Sequence, residues 1–159
     1  MKKSIIAVFG GSFNPPTMAH INLAKQIIEN VDKIEKIIFV PVSTKYNKSG
    51  LASDEDRFNM LKKVCKNYQD FEVSSIELDS TRQLYTIETL KIIQERNPDK
   101  DIYFILGTDN LKELETWYKA EELISTNMEF SRFSDAEPGE FGIKQNLATN
   151  LNLMAGVVA

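Results

Sequence analysis

Apolar positions along this chain follow two patterns in turn. Residues 4–9 contain the continuous run Ile5-Ile6-Ala7-Val8-Phe9, closed by Gly10 and Gly11, which predicts a strand buried on both faces. Ile21, Leu23, Ala24, Ile27 and Ile28 then recur at helical spacing up to Asn30. A second buried strand is predicted over 36–42, with Pro41 closing it, followed by a polar loop over 43–51. Ser53-Asp54-Glu55-Asp56 has the form of a capping box, and its helix should run to about Asn67. Residues 71–78 read as a strand nearer a sheet edge. Residues 86–96 carry Ile87, Leu90 and Ile93 on one helical face and are stopped by Asn97-Pro98. Residues 102–106 form another apolar run ending at Gly107, with helical patterns after it, the second over 117–124. Ile143, Leu147, Leu151, Met154 and Val158 lie roughly one turn apart and predict a weak terminal helix. Strands alternating with helices indicate βαβ units, hence an α/β fold on a parallel sheet.

In such a sheet, ligands lie at the carboxyl ends of strands, beside the reversal in strand order. The loops after Gly10 and Gly107 both reach that edge. Gly10-Gly11-Ser12-Phe13-Asn14-Pro15-Pro16-Thr17-Met18-Ala19-His20 thus reads as strand, glycine turn and helix start. That layout presents backbone N–H groups and a positive dipole end to phosphate. His20, the sole histidine, stands at the helix mouth.

Bulk properties narrow the setting. With 159 residues, 42% of them hydrophobic, the chain fits one domain. A formal net charge of −4 argues against a general nucleic-acid or anionic-membrane binder, while leaving room for a small anionic substrate. The single cysteine, Cys65, cannot form an internal disulfide and is expected to be a core or half-buried thiol. Met1-Lys2-Lys3 and the apolar run after it imitate a secretory signal, but the run stops too early and lacks a cleavage pattern. No stretch approaches the ~20 apolar residues of a membrane span. A cytoplasmic location is expected.

The order Gly11-Ser12-Phe13-Asn14-Pro15-Pro16-Thr17-Met18-Ala19-His20 resembles Gly-x-Phe-x-Pro-x-(His or Thr)-x-Gly-His of the nucleotidyltransferase superfamily. Three further segments resemble its bacterial nicotinate-nucleotide adenylyltransferase family. Leu84-Tyr85-Thr86-Ile87-Glu88-Thr89-Leu90 is similar to a Ser-Tyr-Thr-x-x-Thr-Leu segment. Gly107-Thr108-Asp109-Asn110, with Trp117 beyond, is similar to a Gly-x-Asp…Trp segment, and Arg57 with Met60 to an Arg-x-x-Met helix. Taken singly, Tyr85-Thr86 could merely cap a helix, Trp117 could be a core aromatic, and loop lysines are usually solvated. Their joint order favours the resemblance, which covers about residues 4–126.

The resemblance implies a Rossmann-like nucleotidyltransferase fold, a central parallel sheet with helices on both faces. It implies adenylyl transfer from ATP to nicotinate mononucleotide, an in-line displacement at the α-phosphorus that releases pyrophosphate, with Mg²⁺ accompanying ATP. His20 and Thr17 would act on the ATP phosphates, with Gly10, Gly11, Ser12 and Phe13 around the nucleotides and Gly107 and Asp109 on the ATP ribose. Lys45, Lys48 and Arg132 would meet phosphate, and Asn14, Thr86, Trp117 and Tyr118 the mononucleotide. No resident metal site and no nucleic-acid or membrane partner is implied; the oligomeric state is left open. Other acceptors, nicotinamide mononucleotide or phosphopantetheine, remain alternatives, as does a catalytically impaired nucleotide-binding remnant.

Two departures stand out. Ala19 occupies a position usually held by glycine, and no Ile-Ser-x-Thr-x-Ile-Arg type segment follows. Arg132 resembles the family's strand-end arginine at imperfect spacing, and residues 133–159 match nothing in the family. The expectation is a domain over 1–132 and a diverged or truncated tail over 133–159, lacking a charge-assisted clamp on ATP.

Overall fold

The computed structural model describes residues 4–45, 50–107, 129–130, 141–145 and 151–156. Along them run β1 (Ser4–Gly11), α1 (Met18–Asn30), β2 (Ile34–Pro41), α2 (Asp54–Cys65), β3 (Phe71–Val73), α3 (Thr86–Arg96) and β4 (Lys100–Gly107). Beyond them lie β5 (Glu129–Phe130), β6 (Phe141–Gln145) and β7 (Leu151–Gly156). The strands form one sheet in the order β3-β2-β1-β4-β7-β6-β5. β1 is parallel to both β2 and β4, β2 to β3, and β4 to β7, while β6 and β5 add antiparallel pairings.

This order fixes which face each helix covers. From β1 to β3 the chain steps one way across the sheet, then returns past β1 to β4. Right-handed crossovers therefore put α1 and α2 on one face and α3 on the other. Burial agrees. Ile5, Ala7, Phe9, Ile37, Phe39, Tyr103 and Ile105 share one cluster with Ile21, Leu23, Ala24 and Ile27 of α1 and Leu61 and Cys65 of α2. The alternate strand residues Ile6, Val8, Ile38, Val40, Ile102 and Phe104 are buried too, as are Ile87, Leu90 and Ile93 of α3. A strand covered on both faces needs apolar residues at every position, hence the unbroken runs.

The helix ends follow local chemistry. Ser53 Oγ accepts from the Asp56 N–H at 3.1 Å, and α2 carries acids in its first turn and Lys62 and Lys63 in its last, matching the helix dipole. Glu88 Oε1 accepts from the Tyr85 N–H at 3.2 Å and closes the start of α3. At the other end, Asn97 Nδ2 donates to the Ile93 carbonyl at 2.9 Å, ahead of Pro98. Cys65 lies in the core, where burial and the Glu72 charge push its thiol up to about 11, so it is an inert thiol.

Three local expectations change. Of the residues that predicted a terminal helix, Ile143 lies in β6 and Leu151 and Met154 in β7, while Leu147 and Val158 lie outside the described residues. The spacing fits a helix, but the open edge of β4 supplies a row of backbone donors and acceptors that β7 satisfies from Leu151 to Gly156. The strand expected over 71–78 stops at Val73. Ser74 N–H still donates to the Phe39 carbonyl at 2.9 Å, after which Ser75 turns the chain by accepting from the N–H groups of Leu78 and Asp79. The edge position is as expected. Finally, Gly10 and Gly11 are the last residues of β1, paired with Val40 and Pro41, and the turn comes after them. Packing at Gly10 is tight: a Cβ there would stand 3.2 Å from the Phe104 ring, which would have to give by a few tenths of an ångström.

Among the described residues, no helix is long and apolar enough to cross a membrane.

Candidate functional site

β1 stands between β2 and β4, where the strand order reverses, so the loop from Ser12 to Thr17 leaves the sheet at its topological switch point. The left-handed residue of this loop is Phe13, with φ of 48°. A non-glycine residue there is uncommon, and burial holds it: the Phe13 ring is 2% exposed. It packs edge-on against Phe9 at 5.5 Å, Phe39 at 5.6 Å and the His20 imidazole at 5.1 Å. The Asn14-Pro15 peptide bond is cis. Ala19 sits partly exposed in the first turn of α1.

His20 is the third residue of α1, and its ring folds back on the helix start. Nδ1 accepts from the Thr17 backbone N–H at 3.0 Å and lies 2.9 Å from Thr17 Oγ1. A backbone N–H can only donate, so Nδ1 carries a lone pair and the proton of the neutral ring sits on Nε2. Thr17 and the phenyl rings of Phe9 and Phe13 fix the ring plane. His20 and Thr17, both expected to act on the ATP phosphates, are thus in contact with each other. The Thr17 hydroxyl bonds the imidazole, which makes Thr17 the group that orients His20.

A second network joins this loop to its neighbours. The Arg57 side chain is fully buried. Its Nε donates to the Ala52 carbonyl at 2.9 Å, one terminal nitrogen to the Ser12 carbonyl at 2.8 Å, and the other to Asp54 Oδ1 at 2.7 Å. Asp54 also accepts from Ser43 Oγ, Thr44 N–H and Thr44 Oγ1, each at 2.8 Å. Burial disfavours the Asp54 charge, but the Thr44 N–H, the two hydroxyls and the Arg57 guanidinium outweigh it and hold the carboxyl below its ordinary value of 3.8. Asn14 Oδ1 accepts from the Ala52 N–H at 3.0 Å. The Val42 N–H donates to the Gly11 carbonyl at 3.0 Å.

Lys45 follows directly. Its N–H donates to Ser43 Oγ at 3.1 Å, and its ammonium donates to the Leu78 carbonyl at 2.5 Å, in the segment between β3 and α3. Beside it, Glu77 accepts from the buried Thr89 hydroxyl at 3.1 Å, and burial pushes its carboxyl up to about 7 against that hydrogen bond. Tyr85 caps α3, exposed, and Thr86 is its first residue.

One consequence is measurable in stability. A folded Glu77 pKa near 7 exceeds the ordinary value of 4.5, so the folded protein binds the extra proton. Stability should then fall as pH rises from about 4.5 to about 7. Glu77→Gln should flatten that part of the profile, measured as Tm from pH 4.5 to pH 8. An unchanged slope in the variant would remove Glu77 as its source.

Gly10, Gly11, Ser12, Phe13, Asn14, Thr17, His20, Lys45 and Thr86 thus stand at the carboxyl edge of the sheet, and Gly107 ends β4 on the same edge, paired with Gly156. α1, α2 and α3 all begin there, each directing its positive dipole end to that edge. Lys48, Asp109, Trp117, Tyr118 and Arg132 lie outside the described residues. Sequence patterns gave no hint of the roles of Asp54 and Glu77: one looks like an ordinary first-turn acid, the other like a strand residue. Arg57 appeared only as part of a helix motif. Among the described residues, no group of three or more His, Cys, Asp or Glu side chains gathers as a metal site.

Comparison with known proteins adds a family context. The cytidylyltransferase-like family model matches residues 8–139. A relative from Carboxydothermus hydrogenoformans, carrying the name nicotinate-nucleotide adenylyltransferase, is 38% identical over 120 residues, covering 75% of this chain and 59% of its own. One of the same name from Listeria monocytogenes serotype 4a is 34% identical over 124 residues, 77% of this chain and 65% of its own. The chain thus spans about three-fifths of the length of these relatives. Among solved structures, the Plasmodium falciparum nicotinic acid mononucleotide adenylyltransferase complexed with NaAD aligns with a TM-score of 0.64 at 30% identity. That alignment covers 76% of this chain and 60% of the other.

Proposed function

The chain belongs to the cytidylyltransferase-like family, and on that premise we propose that it transfers the adenylyl group of ATP to nicotinate mononucleotide, a step of NAD biosynthesis carried out in the cytoplasm. The observation that carries this reading is the His20 imidazole at the switch point, with Nδ1 held by Thr17 and the ring proton on Nε2. The names of the relatives support the choice of acceptor.

The reaction places modest demands on the protein. An oxygen of the mononucleotide 5′-phosphate forms a bond to the α-phosphorus of ATP, the bond from that phosphorus to the bridging oxygen breaks, and pyrophosphate leaves. The nucleophile is already an anion, so no general base is required. Acceleration comes from alignment and from donors directed at charge on the phosphoryl oxygens. His20 Nε2–H is one such donor. Backbone from Gly10 to Phe13 and the first turn of α1 supply more, and the Lys45 ammonium adds positive charge at the same edge. Mg²⁺ would enter with ATP as part of the substrate and would assist the departure of pyrophosphate. In this reading Thr86, Trp117 and Tyr118 take the pyridine ring, Asp109 the ATP ribose, and Lys48 and Arg132 phosphate.

The test is an acceptor panel read by pyrophosphate release with Mg²⁺ and ATP. Nicotinate mononucleotide should be used in clear preference to nicotinamide mononucleotide and phosphopantetheine. Turnover with phosphopantetheine alone would move the chain to another branch of the superfamily. Binding of ATP with no product from any acceptor would identify a nucleotide-binding remnant.

A further inference from the structure

We propose that the ion pair of buried Arg57 with partly exposed Asp54 is the positioning element of this site, setting the distance between the loop that carries Ser12 to His20 and the loop that carries Lys45. The inference rests on the reading of the site as one of adenylyl transfer, and it assigns a role to two side chains that need not touch either substrate.

The geometry leaves each side chain one place to be. The guanidinium holds two carbonyls from different segments, Ser12 after β1 and Ala52 before α2, and its third contact is Asp54. The carboxylate in turn gathers three donors from Ser43 and Thr44, after β2. Ser43 Oγ is the hinge of the far arm, donating to Asp54 while accepting from the Lys45 N–H. Asn14 to Ala52 and Val42 to Gly11 close the network on its near side. Two connections distant in sequence, the one after β1 and the one between β2 and α2, are thus held by one ion pair from which water is excluded on the arginine side. A planar fork with five donors can do this; a lysine ammonium cannot reach three acceptors so spaced. Loosening the pair lets the His20 and Lys45 loops shift relative to each other, and a displacement of about 1 Å can cost on the order of 10²-fold in rate.

The test compares Arg57→Lys and Asp54→Asn with Leu61→Ala, a cavity in the same helix on its core face. Folding is checked by circular dichroism and Tm. In the full chain with ATP and nicotinate mononucleotide, each positioning variant should lower kcat by on the order of 10–10²-fold with KM within about threefold. Leu61→Ala should lose comparable Tm and keep kcat. Equal kcat losses in all three variants would mean general loosening and overturn the proposal, as would a wild-type kcat in folded Arg57→Lys.

Hydrogen exchange separates this outcome from failure of the proposed activity. In the wild-type chain, the amides of Val42, Thr44 and Ala52 should exchange as one unit, and in Arg57→Lys all three should lose protection together. Should the wild type form no dinucleotide at all, the activity reading fails while this measurement still decides the coupling. Independent exchange of the three amides would overturn it, even if no variant folds.

Discussion

Replacing His20 with alanine should lower kcat with ATP and nicotinate mononucleotide by on the order of 10²–10³-fold, with a small change in Tm. The size follows from what the ring does. Its Nδ1 is occupied by the Thr17 N–H, which fixes the ring and puts its proton on Nε2, and on the proposed reading the Nε2–H is a donor to the negative charge that builds on the phosphoryl oxygens. Alanine removes that donor and the arm that closes the start of α1, but the ring is only half-buried and the core beneath it stays filled by Phe9, Phe13 and Phe39. Thr17→Val separates the two functions of Thr17. It deletes the hydroxyl contact and keeps the backbone N–H that sets the tautomer, so its kcat should fall less than that of His20→Ala. Steady-state kinetics on folded protein decides both. A His20→Ala variant with near-normal turnover would place the donor elsewhere.

Arg57→Met should destabilise the fold by about 2–4 kcal/mol, read by urea unfolding. Methionine fills much of the volume but abandons the Ser12 and Ala52 carbonyls and leaves the Asp54 carboxylate with no counter-charge. Most of the cost falls on the two carbonyls, which lose a charged donor, because Asp54 is partly exposed and keeps its bonds to Ser43 and Thr44. The double variant Asp54→Asn/Arg57→Met should still cost less than the sum of the single changes. The acid limb gives an independent reading. Asp54 is held below 3.8, so its contribution is complete above that value and is lost as pH falls through the depressed folded pKa. Asp54→Asn should unfold with a shallower acid dependence than the wild type. Equal acid slopes, or an Arg57→Met loss under 1 kcal/mol, would show the network to be dispensable for stability.

Much of this was legible in the residues alone, for reasons that are local. The runs Ile5 to Phe9 and Ile102 to Leu106 announce buried strands because a strand covered on both faces has no position for a polar side chain. The spacing of Ile21, Leu23, Ala24 and Ile27 announces α1, and Ser53 and Asn97 mark helix ends by bonds to their own neighbours. The Thr17–His20 contact spans three residues, so sequence order was enough to place the pair at the switch point.

What the sequence could not decide depends on atoms far away along the chain. Arg57, flanked by acids at the start of a helix, carries the pattern of a solvated cation; it is buried because carbonyls from Ser12 and Ala52 and the Asp54 carboxylate converge on it. Phe13 adopts a left-handed backbone because its ring has a slot among Phe9, Phe39 and His20, and glycine at positions 10 and 11 proved to be strand, with the Phe104 ring close against Gly10 and the Phe13 ring against Gly11. Leu151 to Gly156 abandon a helical spacing for the open edge of β4. Sequence thus determined β1, α1, β2, α2, α3 and β4 and the His20 mouth, since helix and strand periodicity, caps and turns are interactions within a few residues. Only the tertiary structure decided which charges could be buried, which strand met which edge and how the two loops of the site are held together, because desolvation and backbone pairing are settled by whatever the fold brings alongside.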